Sequence, residues 1–176
     1  MSNKKLNDEV EQVMRSVMTR TRSYFDSEFG IQELDVDSGA GDLDSLTLLD
    51  MTAIIGMGGR INLLIAFSFE DGLINALFQR MTSDIVVQPE EVEMYREAAA
   101  GEVVNTVLGH CTIDLQKIDD RGIAMTPPVI LDHAKTIRRM KNSMFYTQSS
   151  STTLGRMTIS LVGPRELFDT NLEYAK

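Results

Sequence analysis

The sequence predicts an α+β fold, an antiparallel β-sheet with two or three packed helices, and three features predict it. Residues Ile61, Leu63, Ile65, Phe67 and Phe69 alternate with smaller or polar neighbours, the period of a strand with one buried face. Apolar residues recur at helical spacing from Leu6 to Phe25 and again after Pro89. The elements then run helix, hairpin, helix, helix, strands, an order that suits antiparallel pairing with helices packed on a sheet face.

Each element has a local reason. Leu6, Val10, Val13, Met14, Val17, Met18, Thr21, Tyr24 and Phe25 make one helical stripe. Asn7 is its predicted N-cap, Asp8 and Glu9 complement the dipole, and Gly30 is its predicted stop. The acidic, glycine-rich run Leu34–Asp44 reads as a loop. Leu46–Ile55 and Ile61–Phe69 read as strands around a turn at Gly56-Met57-Gly58-Gly59. Glu70 and Asp71 open a short helix that carries Leu73, Ile74, Leu77, Phe78 and Met81 and ends near Ser83.

Pro89 takes the first position of a long helix, followed by Glu90, Glu91 and Glu93. Val92, Tyr95, Ala99, Val103, Thr106 and His110 define its apolar face, to Ile113 or beyond. After a loop at Asp119–Gly122, Ile123–Leu131 reads as a strand broken or edged by Pro127-Pro128. A basic stretch with Lys135, Arg138, Arg139 and Lys141 precedes strands Met144–Gln148 and Arg156–Val162, which turn through Ser149–Gly155. A helical turn is expected from Pro164. No repeat or composition break divides the chain, so residues 1–176 read as one domain, with 1–30 its leading helix.

Composition narrows the function. Eleven Met, no Trp and 6% aromatic residues imply an aliphatic, Met-rich core. A net charge of −9 argues against nucleic acid, whose phosphates would be repelled. Residues 1–132 carry 10 basic against 23 acidic side chains, and residues 133–176 carry 7 against 3. The basic end reads as a solvated loop or as a docking face for an acidic partner, the former being the commoner case. Cys111 is the one cysteine, so no internal disulfide can form, as suits a reducing cytoplasm. The N-terminus shows no signal-peptide pattern, and Arg60 and Asn62 interrupt the most apolar stretch. A soluble cytoplasmic protein with no membrane association is expected.

One constellation stands out on the long helix. Residues three apart on a helix differ by about 60° around its axis, so Glu102 and Asn105 project together. Ala98 and Gly109 share that flank, with Gly101 beside it, small residues past which a partner could approach the backbone. Gly101 and Gly109 each cost a helix about 1 kcal/mol relative to Ala, which points to a use in packing or access. By spacing alone the pair is weak. Twelve Glu and seven Asn generate about half a Glu-x-x-Asn by chance, and an ordinary solvated flank is then the commoner explanation.

Context changes that weighting. The run Ala53–Ile61, then Phe67-Ser68-Phe69, the short helix ending at Arg80-Met81, the acidic start Pro89–Glu93, the helix Gly101-Glu102-Val103-Val104-Asn105-Thr106-Val107-Leu108-Gly109, and Thr126-Pro127-Pro128-Val129 together resemble the CheX branch of the CheC/CheX/FliY phosphatases. The resemblance covers about residues 45–165. It implies a phosphatase that hydrolyses the aspartyl phosphate of a CheY-type response regulator in two-component chemotaxis signalling. Glu102 would pair with the regulator's active-site lysine and Asn105 would orient the attacking water. It implies no cofactor in this chain, since the Mg²⁺ belongs to the regulator, and it implies a homodimer. Ala98 departs from the CheC and FliY branches, which carry an acidic or hydroxyl residue there. The alternative is a non-catalytic, CheC-like binding or scaffold module.

The remaining candidates have ordinary explanations. His110 reads as a core or half-buried histidine and His133 as a solvated loop residue. One cysteine beside His110 is not a zinc set. Ser149–Thr153 reads as a polar turn, and the Gly56–Gly59 run opens no helix on which phosphate could sit.

Overall fold

The computed structural model describes residues 3–41, 45–59, 61–116, 122–133 and 136–164. Helix α1 spans Asn3–Phe29, β1 Asp35–Gly41, β2 Ser45–Thr47, β3 Met51–Gly58, β4 Leu63–Phe69 and α2 Asp71–Met81. A 3₁₀ turn, Pro89–Glu91, leads into α3, Val92–Leu115. Strands β5 (Ala124–Met125), β6 (Val129–Asp132), β7 (Thr136–Arg138), β8 (Ser143–Thr152) and β9 (Gly155–Pro164) complete the order. The large sheet runs β1-β8-β9-β4-β3, with β5 and β6 both pairing along β3, and every pairing is antiparallel. The α+β expectation holds.

Helices cover one face of this sheet. Val10, Val13, Met14, Val17, Met18 and Phe25 of α1, and Leu73, Ile74 and Leu77 of α2, pack with Met51, Ala53, Ile55, Ile65, Phe67 and Phe69 in one core. The α1 residues follow the i, i+3, i+4, i+7 spacing that keeps an apolar stripe on one side. Gly30 ends α1 in a left-handed conformation, φ +58°, and its N–H and that of Ile31 donate to the carbonyls of Asp26 and Phe25. On the opposite face a smaller cluster of Leu46, Leu48, Phe145 and Val162 lies under the β2–β7 ribbon, with Leu131 and Ile137 against it.

Several boundaries differ from the sequence reading, each for a physical reason. Helix α1 starts at Asn3, so Asn7 lies within it and is no N-cap. Leu34–Asp44 is not a loop throughout: Asp35–Gly41 is an edge strand held by backbone pairing to β8, its residues at 42–44 lying outside the described ones. Strand β3 runs through Gly56 and Gly58 rather than turning there. A Cβ on Gly56 would meet the Thr126 methyl at 3.1 Å, so glycine lets β5 close in, and Thr126 and Gly56 exchange hydrogen bonds of 2.9 Å. The β8–β9 hairpin turns only at Thr153-Leu154, and Ser149 and Thr147 pair with Thr158 and Ser160 across it at 3.2 and 2.9 Å. The predicted helical turn from Pro164 falls mostly outside the described residues, and Pro164 itself ends β9.

Candidate functional site

Helix α3 divides into a buried side and a solvent side. Ala99, Ala100, Gly101, Val103, Val104, Val107, Leu108, Cys111 and Leu115 are buried. Ala98, Glu102, Asn105 and Gly109 are exposed and sit within about 60° of the line opposite that core. Met94 and Ile113, 58% and 61% exposed, stand at the two ends of the strip. The expected pair is therefore brought together, one turn apart, on the outside of a helix whose other side is locked in the core.

Two of the three small residues lie on this strip and one does not. Ala98 and Gly109 face solvent, and a Cβ on Gly109 would meet nothing within 4 Å. Gly101 is buried, and its Cβ would lie 3.6 Å from Pro128 Cγ and 3.9 Å from Ile130 Cδ1. It serves packing against the 127–130 segment and not the approach of a partner. His110 also departs from the sequence reading, being exposed rather than core. His133 is exposed, as expected, with its side chain 77% accessible beside Asp132.

Three attachments fix α3. At its start Gln88 and Glu91 form a reciprocal capping box, the Gln88 N–H donating to Glu91 Oε2 at 3.2 Å. One turn in, Arg96 pairs with Asp71 at the start of α2 and with Glu93. Near its end Asp114 accepts from Ser16 Oγ at 2.7 Å and from Arg20 Nε and Nη2 at 2.9 and 2.7 Å. The fork-shaped Arg20 contact joins α1 to α3 with fixed geometry.

Sequence reasoning passed over two neighbours of the pair. Thr106 Oγ1 donates to Glu102 Oε1 at 3.4 Å. Tyr24 of α1 sets its ring edge-on to Phe29 with centroids 5.2 Å apart. Burial raises the Tyr24 phenol above its ordinary value, the Thr106 hydroxyl opposes the rise, and the Glu102 charge adds to it. Both residues had been assigned to apolar helix faces, and a polar tip on such a stripe was the available signal.

The chemistry on offer is that of a protruding surface. Among the described residues no group of three or more His, Cys, Asp or Glu is placed to hold a metal. A cavity of about 680 Å³ lies between Met57, Leu64, Met140 and Val162, and no α3 residue lines it. Cys111 is buried, its thiol pushed up to about 11 by that burial, and is no nucleophile. No helix among the described residues is long and apolar enough to cross a membrane.

Comparison with known proteins agrees with this fold. A solved CheX from Desulfovibrio desulfuricans is similar at a TM-score of 0.72, with 19% identity over 85% of this chain and 97% of that one. A CheX from Vibrio vulnificus gives 0.65 and 19%, over 85% and 97%. A CheX–CheY–BeF3–Mg²⁺ complex from Borrelia burgdorferi gives 0.65 and 14%, over 86% and 97%. At these identities the likeness shows the fold. No curated protein sequence matches the chain. The family model described as chemotaxis phosphatase CheX matches residues 51–150, more than half of the chain and all of α3, and the chain belongs to that family.

Proposed function

We propose that this protein hydrolyses the aspartyl phosphate of a CheY-type response regulator, with Glu102 and Asn105 as its catalytic residues. The observation that carries the reading is the exposure of both side chains, one turn apart, on a helix held rigid from behind. A substrate that is itself a folded protein calls for a group that protrudes, and the cavity between Met57 and Val162 lies elsewhere. The similar Borrelia burgdorferi structure is a complex of CheX with CheY, BeF3 and Mg²⁺, which supports a regulator partner here and a metal supplied by that partner.

The chemistry suits the residues. Water attacks phosphorus, the bond from phosphorus to the aspartyl oxygen breaks, and inorganic phosphate and a free carboxylate result. An acyl phosphate is already reactive, so positioning and charge balance supply most of what catalysis needs. The Asn105 amide oxygen accepts a hydrogen from the attacking water while its NH₂ donates to a phosphoryl oxygen. Glu102 meets the regulator's active-site lysine and sets the depth of insertion.

A dephosphorylation assay across the host's receiver domains tests this. Glu102→Ala and Asn105→Ala should each slow phosphate loss from the cognate regulator by about 100-fold, with unchanged thermal unfolding. Wild-type rates from both variants would remove the assignment. Binding of a regulator with no change in its phosphate lifetime would favour a scaffold instead.

A further inference from the structure

Single exposed apolar side chains are ordinary on any protein surface, and on α3 it is their placement that carries information. Among the described residues, Met94 and Ile113 are the large hydrophobic side chains that α3 leaves in solvent, each more than half exposed. The solvent strip reads Met94, Ala98, Glu102, Asn105, Gly109, Ile113, in steps of four, four, three, four and four residues. All six fall within an arc of about 100° around the axis. The order is the same from either end: a large apolar side chain, a small residue, one member of the polar pair. At 1.5 Å per residue, each apolar side chain stands about 12 Å along the axis from the nearer member of the pair, and the strip is about 28 Å long.

The two ends of the strip are also where the helix is fixed. Met94 lies between the Gln88–Glu91 capping box and Arg96, which pairs with Asp71 and Glu93. Ile113 precedes Asp114, which accepts from Ser16 Oγ and from Arg20 Nη2, both at 2.7 Å. An apolar side chain carried on a braced backbone loses less freedom on docking than one on a loose segment.

We infer that Met94 and Ile113 are the two anchors by which this strip grips the regulator, an inference that rests on the function proposed above. Each enters an apolar hollow on the regulator about 12 Å to one side of the pair, while Ala98 and Gly109 let the regulator's backbone close in between. Charge identifies the occupant. Glu102 is the one ionised side chain of the six, so the face that covers the strip brings a cation to its centre and apolar surface to its ends. The regulator's lysine, proposed above to meet Glu102, is that cation. A second copy of this chain fits poorly. Because the strip is symmetric about its centre, self-pairing in either direction sets one Glu102 near the other with no cation between them, a costly burial. Met94 and Ile113 touch the regulator's surface and no reacting atom, so they govern affinity and leave the chemical step to Glu102 and Asn105.

The test uses the full chain and a phosphorylated cognate regulator, with half-saturating concentration and turnover measured separately. Met94→Ala and Ile113→Ala keep a good helix former and remove the apolar reach. Each should raise KM about fivefold to tenfold, the range of an interface anchor, with kcat within about twofold because the polar pair is untouched. The sites are about 28 Å apart, so the double variant should multiply the two factors. Met94→Leu and Ile113→Leu should keep KM near the wild-type value. Leu34→Ala alters an equally exposed residue beside β1, at the edge of the sheet away from β3, and should change nothing. Wild-type KM for both alanine variants, while Glu102→Ala is severely impaired, would overturn the anchors and leave the phosphatase reading standing. An equal KM rise from Leu34→Ala, or a fall in kcat as large as the rise in KM, would also overturn them. So would a lower molecular mass for the double variant than for the wild type in sedimentation, which would give the strip to a second copy. Harmless Glu102→Ala and Asn105→Ala would instead bring down the function and the anchors together.

Discussion

On one side of α3, Ala100, Val103, Val104, Val107 and Cys111 have no exposed surface, and their neighbours come from α1, α2 and the sheet. Half a turn away, Ala98, Glu102, Asn105 and Gly109 face solvent. The buried side follows volume and close packing, so its residues are replaceable only by others of like shape. The solvent side has no folding role of comparable size, and under the proposed function its polar pair serves an outside partner. On that proposal one helix supplies rigidity from one side and chemistry from the other.

Substitutions on the two sides should separate cleanly. The largest effect on stability is expected from Leu108→Ala, a cavity in the packed core costing about 2–5 kcal/mol, read as a lower urea midpoint. Any residual folded fraction should keep its turnover, because Glu102 and Asn105 are untouched. The reverse pattern, lost turnover with normal unfolding, belongs to Glu102→Ala and Asn105→Ala. A stability loss from either of those, or a turnover loss from folded Leu108→Ala, would break the division.

Cys111 sharpens the same contrast through pH. Its thiol is about 11 in the fold against 9.0 unperturbed. A raised value means the folded chain holds this proton more tightly than the unfolded one. The stabilisation it brings is complete below pH 9 and is lost as pH climbs from 9 toward 11. Urea midpoints of the wild type should fall more steeply across that window than those of Cys111→Ala. Parallel slopes would show the thiol to be more accessible than its position implies.

The smallest effects compare two glycines. Gly101→Ala places a methyl in ordinary contact with Pro128 and Ile130, and Gly109→Ala places one in open solvent. Both should stabilise the free chain by up to about 1 kcal/mol through helix propensity. Only Gly109→Ala should weaken regulator binding, by a few fold, since only it thickens the approach strip. Equal binding by the two variants would mean that no partner comes close at Gly109.

Much of this was legible in the sequence wherever one side of an element is buried. The stripes of α1 and α2 and the alternation of β4 announced themselves because burial imposes a period. The position of Glu102 and Asn105 outside the core followed from the same geometry. Where burial is weak, the signal fails. β1 carries Asp35, Val36 and Asp37, all exposed, and pairs with β8 through its backbone, so these side chains show no buried alternation that would mark a strand. The hydroxyl run Ser149–Thr152 resembled a turn because its stabilising pairs lie on the other strand of the hairpin. On α3 the stripe drawn through Val92 and His110 lies about 120° from the centre of the buried face. That shift left His110 exposed and concealed the hydrogen bond from Thr106 to Glu102.

The acidic strand β1 has an effect beyond completing the sheet. Without it, the outer edge of β8 along Phe145–Ser151, seven residues rich in serine and threonine, would present bare backbone donors and acceptors to any extended segment that drifted past. β1 satisfies those groups and substitutes an outer rim bearing carboxylates at Asp35 and Asp37. Two such rims meeting edge to edge repel each other, so a strand with no place in the core guards the molecule against growing into a fibril.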